Sequence, residues 1–253
     1  MTDRSIVVFI SGAVGEPNAT RTHPIDERTH VVTATLSPAN KQSAARSLLL
    51  ACGVLAPLLN MVVLLTLGAI RPGYNAWVVP DSNLELGPGG WMQSANYIVT
   101  GALLLAFALG MRLRLRTGRG STWGPILLAI YGFTFLAIGP ILPDPSLGYP
   151  AGASTDPTIH GAIHILLGLV QFTSLIMACF VLARHEETPE KHGWYRYSAA
   201  TGLLVASSYI AFVLTAKLSD GGPAGLIERI GIGASGIWIV LLAIRLMSGF
   251  PRG

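Results

Sequence analysis

Residues 46–70 read RSLLLACGVLAPLLNMVVLLTLGAI, and after Arg46 this stretch carries no charged side chain. A helix needs about 20 apolar residues to cross the hydrocarbon core of a bilayer, which is roughly 30 Å thick. The stretch is continuously apolar, whereas a strand of a membrane barrel alternates between apolar and polar residues over about 10 positions. It therefore predicts a membrane-spanning helix, and this prediction decides the class of protein.

Five further stretches meet the same criterion. They cover roughly residues 91–111, 123–142, 159–183, 195–216 and 226–247. The composition agrees, because 51% of the residues are hydrophobic and only 12% are charged, whereas a soluble domain carries roughly 25% charged residues. The sequence thus predicts an all-α protein, a polytopic bundle of six spanning helices over residues 45–249.

The two ends of the chain read differently from this domain. Residues 1–44 combine Asn, Thr, Ser, Pro and scattered charges without a periodic apolar face, so we expect a disordered leader. Residues 5–14 resemble the core of a weak signal peptide, but the residues before them carry no excess of positive side chains. Residues 250–253 are expected to form a short cytoplasmic tail.

Lysine and arginine residues are concentrated on one side of the predicted helices. Eleven lie on that side and three on the other, namely Arg71, Lys217 and Arg229. Because cytoplasmic loops hold the excess of positive residues, we expect both termini in the cytoplasm and the protein in the cytoplasmic membrane. A basic rim facing anionic lipid headgroups accounts for the net charge of +4 without a nucleic-acid partner.

Two histidines, His160 and His164, stand four residues apart at the start of the fourth segment. Ionisable groups are costly inside a membrane and usually mark a functional site. Residues i and i+4 share one helix face, so both rings can face one divalent ion such as zinc, with Asp144 as a third ligand. The glutamate of an H-E-x-x-H motif is missing, so Glu85 or Asp156 is the candidate base for metal-assisted hydrolysis or transfer on a lipid-like substrate.

The loops on the expected outer side hold six carboxylates and two histidines against three basic residues. An excess of acceptors suits a divalent cation or a cationic group. The outer polar cluster comprises Arg71, Asp81, Glu85, Glu228 and Arg229. A non-enzymatic interpretation stays open, in which these groups only tie the loops to the bundle and Asp144 caps backbone amides in a turn.

Other classes of protein fit the sequence less well. The sixth segment contains the dinucleotide fingerprint G-x-G-x-x-G at Gly231, Gly233 and Gly236, but that motif requires a preceding strand. We therefore interpret these glycines as sites of close helix packing. The same interpretation applies to Gly161 and Gly168 in the fourth segment. Histidines one turn apart cannot ligate both sides of a haem iron. Neither haem nor a dinucleotide is expected, and a transporter is a minor alternative because no internal repeat is visible.

Several short motifs in the loops carry a family resemblance. They are Ile70–Asn75 (IRPGYN), Leu86–Trp91 (LGPGGW), Pro143–Pro145 (PDP), Gly148–Pro150 (GYP) and His160–His164 (HGAIH). Over roughly residues 46–248 the chain resembles the bacterial membrane proteins grouped as domain of unknown function 998. The resemblance implies a six-helix membrane fold and no particular activity.

Two hypotheses for the function follow from the sequence. The first is a membrane binding or accessory protein with an outward-facing polar His/Asp pocket, whose outer cluster only fixes the loops. Its candidate partners are membrane lipids and a lipid-like ligand. The second is a metal-assisted enzyme that acts on a lipid-like substrate at the outer leaflet. The sequence leaves the oligomeric state open.

Overall fold

The computed structural model describes residues 38–118, 120–185, 192–218 and 222–248. The chain divides into two units, residues 1–44 and 45–253, and the fold and site below lie in the second. The predicted leader lies outside the described residues over positions 1–37, as does the predicted tail at 250–253. Residues 38–44, which the prediction included in the leader, are helical.

Six helices make up the described part of the chain, and it contains no strand. They are α1 (Pro38–Ile70), α2 (Trp91–Arg114), α3 (Gly120–Ile138), α4 (Ile159–His185), α5 (His192–Leu218) and α6 (Ala224–Ser248), with a short 3₁₀ helix at Asp81–Glu85. All six are long and apolar enough to cross a membrane. The prediction of an all-α protein with six spanning helices is confirmed.

The helices pack in chain order from α2 to α6, and α1 lies against α2 and α6. The connections 71–90 and 139–158 meet at one end of the bundle, and we call them the loop layer. The start of α6 joins them, because the Gly225 N–H donates to the Val78 carbonyl at 3.2 Å and the Leu226 N–H to the Trp77 carbonyl at 3.1 Å. We call the opposite end of the bundle the remote end.

Toward the remote end the helices are tightly packed. Trp238 of α6 is fully buried, its indole N–H donates to the Ser198 hydroxyl at 3.0 Å, and its ring stacks with Trp194 of α5. A Cβ atom on Gly110 of α2 would lie 2.8 Å from the Cβ of Leu49 in α1. Only glycine therefore permits this approach of α1 and α2.

The glycines predicted to mediate helix contacts divide into two groups. In α6, Cβ atoms on Gly231 and Gly236 would lie 3.2 Å from α5 and 3.3 Å from α1, so both residues face neighbouring helices. In α4 the prediction is wrong. A Cβ on Gly161 would collide with the Asp144 carboxylate of the loop layer, and a Cβ on Gly168 would meet nothing within 4 Å.

Candidate functional site

Two arginines organise the loop layer, and the first is the buried Arg71, directly after α1. Its guanidinium donates to the carbonyl oxygens of Pro88, of Gly89 at 3.0 Å and of Leu84 at 3.3 Å. Gly89 has a φ of +79°, which favours glycine, so this carbonyl can turn toward the arginine. Arg71 thus folds the IRPGYN and LGPGGW motifs onto each other.

The second arginine, Arg229 of α6, binds the same loop from the other side. It donates to the carbonyl oxygens of Gly225 at 2.8 Å, Ala76 at 2.9 Å and Val79 at 3.2 Å, and to the hydroxyl of Tyr74. Burial raises the pKa of Tyr74, so this hydroxyl keeps its proton and donates to the Val79 carbonyl at 3.0 Å. Both arginines therefore direct their donors at the backbone of the loop layer.

The two connections of the loop layer also bind each other. The Asn83 side-chain amide donates to the Ser146 hydroxyl at 2.9 Å and to the Tyr149 carbonyl at 3.3 Å. The rings of Tyr74 and Tyr149 pack edge to face with centroids 5.2 Å apart. The GYP motif thus ties the second connection to the first.

Asp144 of the PDP motif caps the start of α4. Its carboxylate accepts the Thr158 hydroxyl at 2.6 Å and the Thr158 N–H at 2.9 Å, and the Thr158 hydroxyl oxygen accepts the Gly161 N–H at 3.0 Å. The hydrogen bonds from Thr158 lower the pKa of Asp144. Thr158 thus caps the N-terminus of α4, and the Asp144 carboxylate binds this capping residue.

Beneath the loop layer lies a cavity of about 570 Å³. Each of the six helices contributes to its lining, and most of the wall is aromatic or aliphatic, including Tyr131, Phe135, Leu169, Phe172 and Phe212. Along α4 the lining runs from Gly161 to Phe172, a rise of roughly 16 Å. The cavity thus extends about halfway through a hydrocarbon core of roughly 30 Å.

Three buried ionisable residues, Asp81, His164 and Glu228, form what we call the acidic end of the cavity. The Tyr97 hydroxyl donates to Asp81 Oδ2 at 3.0 Å, and the Asp81 N–H donates to Glu228 Oε2 at 2.8 Å. His164 Nδ1 lies 2.6 Å from the Ile141 carbonyl oxygen. Since a carbonyl only accepts, Nδ1 carries the proton, and Nε2 is an acceptor in the neutral ring.

Glu85 lies behind His164 and does not line the cavity. Its Oε1 accepts the Ser94 hydroxyl at 3.0 Å, and its buried Oε2 lies 4.0 Å from His164 Nδ1 and has no hydrogen-bond partner among the described residues. Burial raises the pKa of Glu85 to about 9. At pH 7 this carboxyl is therefore neutral and able to donate a proton.

The other predicted site residues take different places. Asp81, Asp144, His164 and Glu228 line the cavity, whereas Arg71, Glu85, Asp156, His160 and Arg229 do not. His160 and Asp156 are exposed, and Asp156 accepts the Ser154 hydroxyl at 2.7 Å. Within the described ranges, no three His, Cys, Asp or Glu side chains are placed to hold one metal ion. The metal role of His160, His164 and Asp144 stays a prediction.

The exposure of lining residues on α4 and α5 indicates that the cavity opens sideways between these two helices. Phe172 and Tyr209 stack with ring centroids 4.5 Å apart. From there toward the loop layer, residues 209–218 of α5 include no buried residue, and a Cβ on Gly168 would face open space. Ile165, a lining residue of α4, is 69% exposed. The two helices thus separate where the acyl chains of a bilayer would surround them.

A comparison with protein families identifies the chain. The family model described as "Protein of unknown function (DUF998)" matches residues 54–245. The chain belongs to the DUF998 family. The match confirms the resemblance seen in the loop motifs, whereas no curated protein and no solved structure matches.

The sequence reasoning missed several functional candidates in this DUF998 protein. Tyr97 holds Asp81, while Tyr131 and Gln171 line the deep part of the cavity. In the sequence, each of these residues is a polar residue inside an otherwise apolar segment. Such a residue can also form a hydrogen bond within its own helix, so its position alone does not indicate a site. The short motifs that carried the family resemblance, by contrast, lie mainly in the loop layer that closes the cavity.

Proposed function

We propose that this DUF998 protein binds a lipid-like amphiphile in the cavity and takes it from the bilayer through the opening between α4 and α5. The cavity itself carries the proposal, because it joins an apolar wall to a polar end and opens toward lipid. Its volume of about 570 Å³ falls within the roughly 300–1,000 Å³ of ligand sites. The proposal makes the protein a membrane binding or accessory protein.

We place the protein in the cytoplasmic membrane with the loop layer facing outward. The excess of lysine and arginine at the remote end and in the termini supports this orientation. The cavity then lies at the depth of the outer leaflet, with its acidic end near the outer surface. A bound amphiphile would be oriented like the surrounding lipids.

A metal-assisted hydrolase or transferase has less support. The Asp144 carboxylate is engaged by Thr158, and Nδ1 of His164 faces the Ile141 carbonyl. To bind Asp144, a metal ion would have to displace Thr158 from its carboxylate. Otherwise it would have to bind His164 Nε2 together with ligands other than Asp144. The polar groups at the cavity suit the binding of a headgroup without such rearrangement.

Blocking the opening tests the proposed function. Gly168→Trp places an indole in open space at the cavity, and Leu166→Trp places the same indole on the lipid-facing side of α4, where Leu166 is 58% exposed and does not line the cavity. Each protein is expressed, purified in mild detergent and examined by native mass spectrometry for retained lipid. We expect a bound amphiphile on the wild type and on Leu166→Trp, and at least about tenfold less on Gly168→Trp.

Thermal unfolding of all three proteins serves as the folding control. Equal retention by Gly168→Trp and wild type, or a wild type that retains and takes up no amphiphile from a total lipid extract, would contradict the proposal.

The proposed orientation has its own test. Ser154 is exposed in the loop layer, so Ser154→Cys should react with a membrane-impermeant maleimide in intact cells. The parent protein, whose two cysteines lie in α1 and α4, is the control for background labelling. Labelling of Ser154→Cys only after the cells are opened would reverse the orientation.

A further inference from the structure

We infer that the amphiphile bound by this protein carries a cationic ammonium head, which the acidic end of the cavity holds through Asp81 and Glu228. This inference rests on the proposed function and adds the chemical class of the ligand. It follows from the distribution of charge around the cavity, from the acceptors left open there and from the shape of the apolar part.

The charged groups of the cavity are unevenly distributed. Three carboxylates line it, those of Asp81, Asp144 and Glu228, and Lys217 is its one lysine or arginine within the described residues. Lys217 is exposed at the end of α5. Arg71 and Arg229 do not line the cavity, and their donors bind backbone carbonyls and the Tyr74 hydroxyl. The Arg229 charge is close enough to act on Asp81 and Glu228, but its N–H donors do not occupy their carboxyl oxygens.

The acceptors of the acidic end are only partly occupied. Asp81 receives one side-chain hydrogen bond, from Tyr97 to Oδ2, and Glu228 receives one, from the Asp81 N–H to Oε2. The Asp81 and Glu228 side chains also interact with each other, and their remaining oxygens, Oδ1 of Asp81 and Oε1 of Glu228, are not fully buried at the cavity wall. With Nε2 of His164, three acceptors face a bound head.

Because the carboxyl groups of the acidic end are buried, they favour a ligand head that carries hydrogen-bond donors or a positive charge. Asp81 and Glu228 are only 6% and 7% exposed, and a carboxylate removed from water needs a compensating charge or donor. An ammonium supplies both a positive charge and up to three N–H donors. A sulfate or carboxylate head would instead place like charges side by side in a low-dielectric site.

The rest of the cavity fits a hydrocarbon chain. Below the acidic end the lining continues through Phe135 and Leu169 to the stacked pair Phe172 and Tyr209. A chain anchored at Asp81 can follow this wall toward the bilayer centre or leave between α4 and α5. The polar end and the apolar wall thus match the two parts of a long-chain amine.

The experiment compares probes that share one chain and differ in the head. Dodecylammonium, dodecanol and dodecanoate are titrated into phosphatidylcholine nanodiscs that contain the protein, with empty nanodiscs as the partition control, and bound probe is counted by native mass spectrometry. We expect dodecylammonium to bind at least about tenfold more tightly than dodecanol, and dodecanoate to bind most weakly.

Matched variants then locate the head. Asp81→Asn with Glu228→Gln keeps an acceptor oxygen for the Tyr97 hydroxyl and for the backbone N–H of residue 81, so the fold should persist while both ionisable carboxyls are removed. We expect this double variant to bind dodecylammonium no more tightly than dodecanol. Asp156→Asn, an exposed carboxylate outside the cavity, should keep the full preference for the amine.

The outcomes separate this inference from the proposed function. Equal binding of the three probes, or a preference for dodecanoate, overturns the cationic head but keeps amphiphile binding, provided that Gly168→Trp still blocks it. Absence of binding for every probe and for native lipid overturns both. If phosphatidylethanolamine competes with dodecylammonium, the inference is supported and the source of the amine is a phospholipid. If dodecylammonium binds tightly and phosphatidylethanolamine does not compete, the ligand is a free long-chain amine.

Discussion

The two halves of the α4–α5 pair have similarly apolar sequences but pack differently. Toward the remote end, a Cβ on Gly202 of α5 would lie 3.2 Å from Cys179 of α4. Toward the loop layer, Gly168 of α4 faces open space, and residues 209–218 of α5 include no buried residue. Hydropathy alone thus does not tell whether an apolar face meets a helix, lipid or a cavity.

The difference coincides with the position of the polar ties, because those of the loop layer bind the loops and α6 and do not include α5. Lipid chains are as apolar as the helices, so no hydrophobic force closes a gap between helices within a bilayer. Contact between them depends on shape and on polar ties. Arg71, Arg229 and Asn83 tie the loops and α6 together, and the helix ends held by this layer leave the cavity open. Substitutions in the packed half and at the cavity should therefore differ in their effect on stability.

The largest effect should come from Trp238 in the packed half. Trp238→Ala removes a fully buried ring and its hydrogen bond to Ser198, which should lower the free energy of unfolding by about 3–5 kcal/mol. Phe212→Ala, at the cavity, is the matched control and should cost about 1 kcal/mol or less because Phe212 is only half-buried. Unfolding by SDS in mixed micelles measures both. Equal losses would show that the halves are packed alike.

The second effect is a pH dependence centred on Glu85. Its folded pKa of about 9 lies above the ordinary value of 4.5, so the folded state keeps a proton that the unfolded state has released. The free energy of unfolding should therefore fall as the pH rises through this window, by on the order of 2 kcal/mol between pH 6 and pH 8. Glu85→Gln should lose this slope in the same SDS titrations. A slope that persists in Glu85→Gln would assign it to another group.

A third, smaller effect compares two glycines. Gly110→Ala forces a methyl group against the Leu49 backbone and should cost roughly 1 to 2 kcal/mol of unfolding free energy. Gly168→Ala meets open space and should stabilise α4 slightly, by about 0.5 kcal/mol, because alanine favours a helix. Thermal unfolding in detergent shows the direction of each shift. Destabilisation by Gly168→Ala would mean that the cavity is closed in solution.

The smallest effect concerns the cap of α4. Asp144→Asn weakens the charge-assisted hydrogen bonds to Thr158, and the expected loss of stability is about 1 kcal/mol. Asp156→Asn, in the same loop, contacts only Ser154 among the described residues and should change stability by about 0.5 kcal/mol or less. A large loss of bound zinc in Asp144→Asn, measured by elemental analysis, would instead favour the metal role.

Much of the fold was predictable because each helix carries its signal locally. A run of about 20 apolar residues must form a helix in lipid, where every backbone group needs an internal hydrogen bond. The predicted segments agree with the observed helices to within a few residues at most ends. Two ends differ more: α1 begins at Pro38 and not near residue 46, and α3 ends at Ile138 and not near residue 142. The second difference falls just before Pro140, which cannot donate to the helix.

Part of the site was predictable as well. His164 stood out because ionisable groups inside a membrane are costly, and Asp81 and Glu228 belonged to the excess of carboxylates on the expected outer side. All three line the cavity. His160 lies one helical turn before His164 but is exposed. Sequence spacing predicts which residues share a helix face, but it does not predict what that face contacts.

Local composition thus predicts the class of this protein, the number of its helices and the acidic character of one end. The folded structure is needed to see that Asp81 and Glu228 meet, that Glu85 lies outside the cavity, and that Gly168 opens into it. These differ because helix formation in lipid depends on local composition. A cavity depends instead on how the faces of helices that are distant in sequence pack against each other, and local composition does not determine this packing.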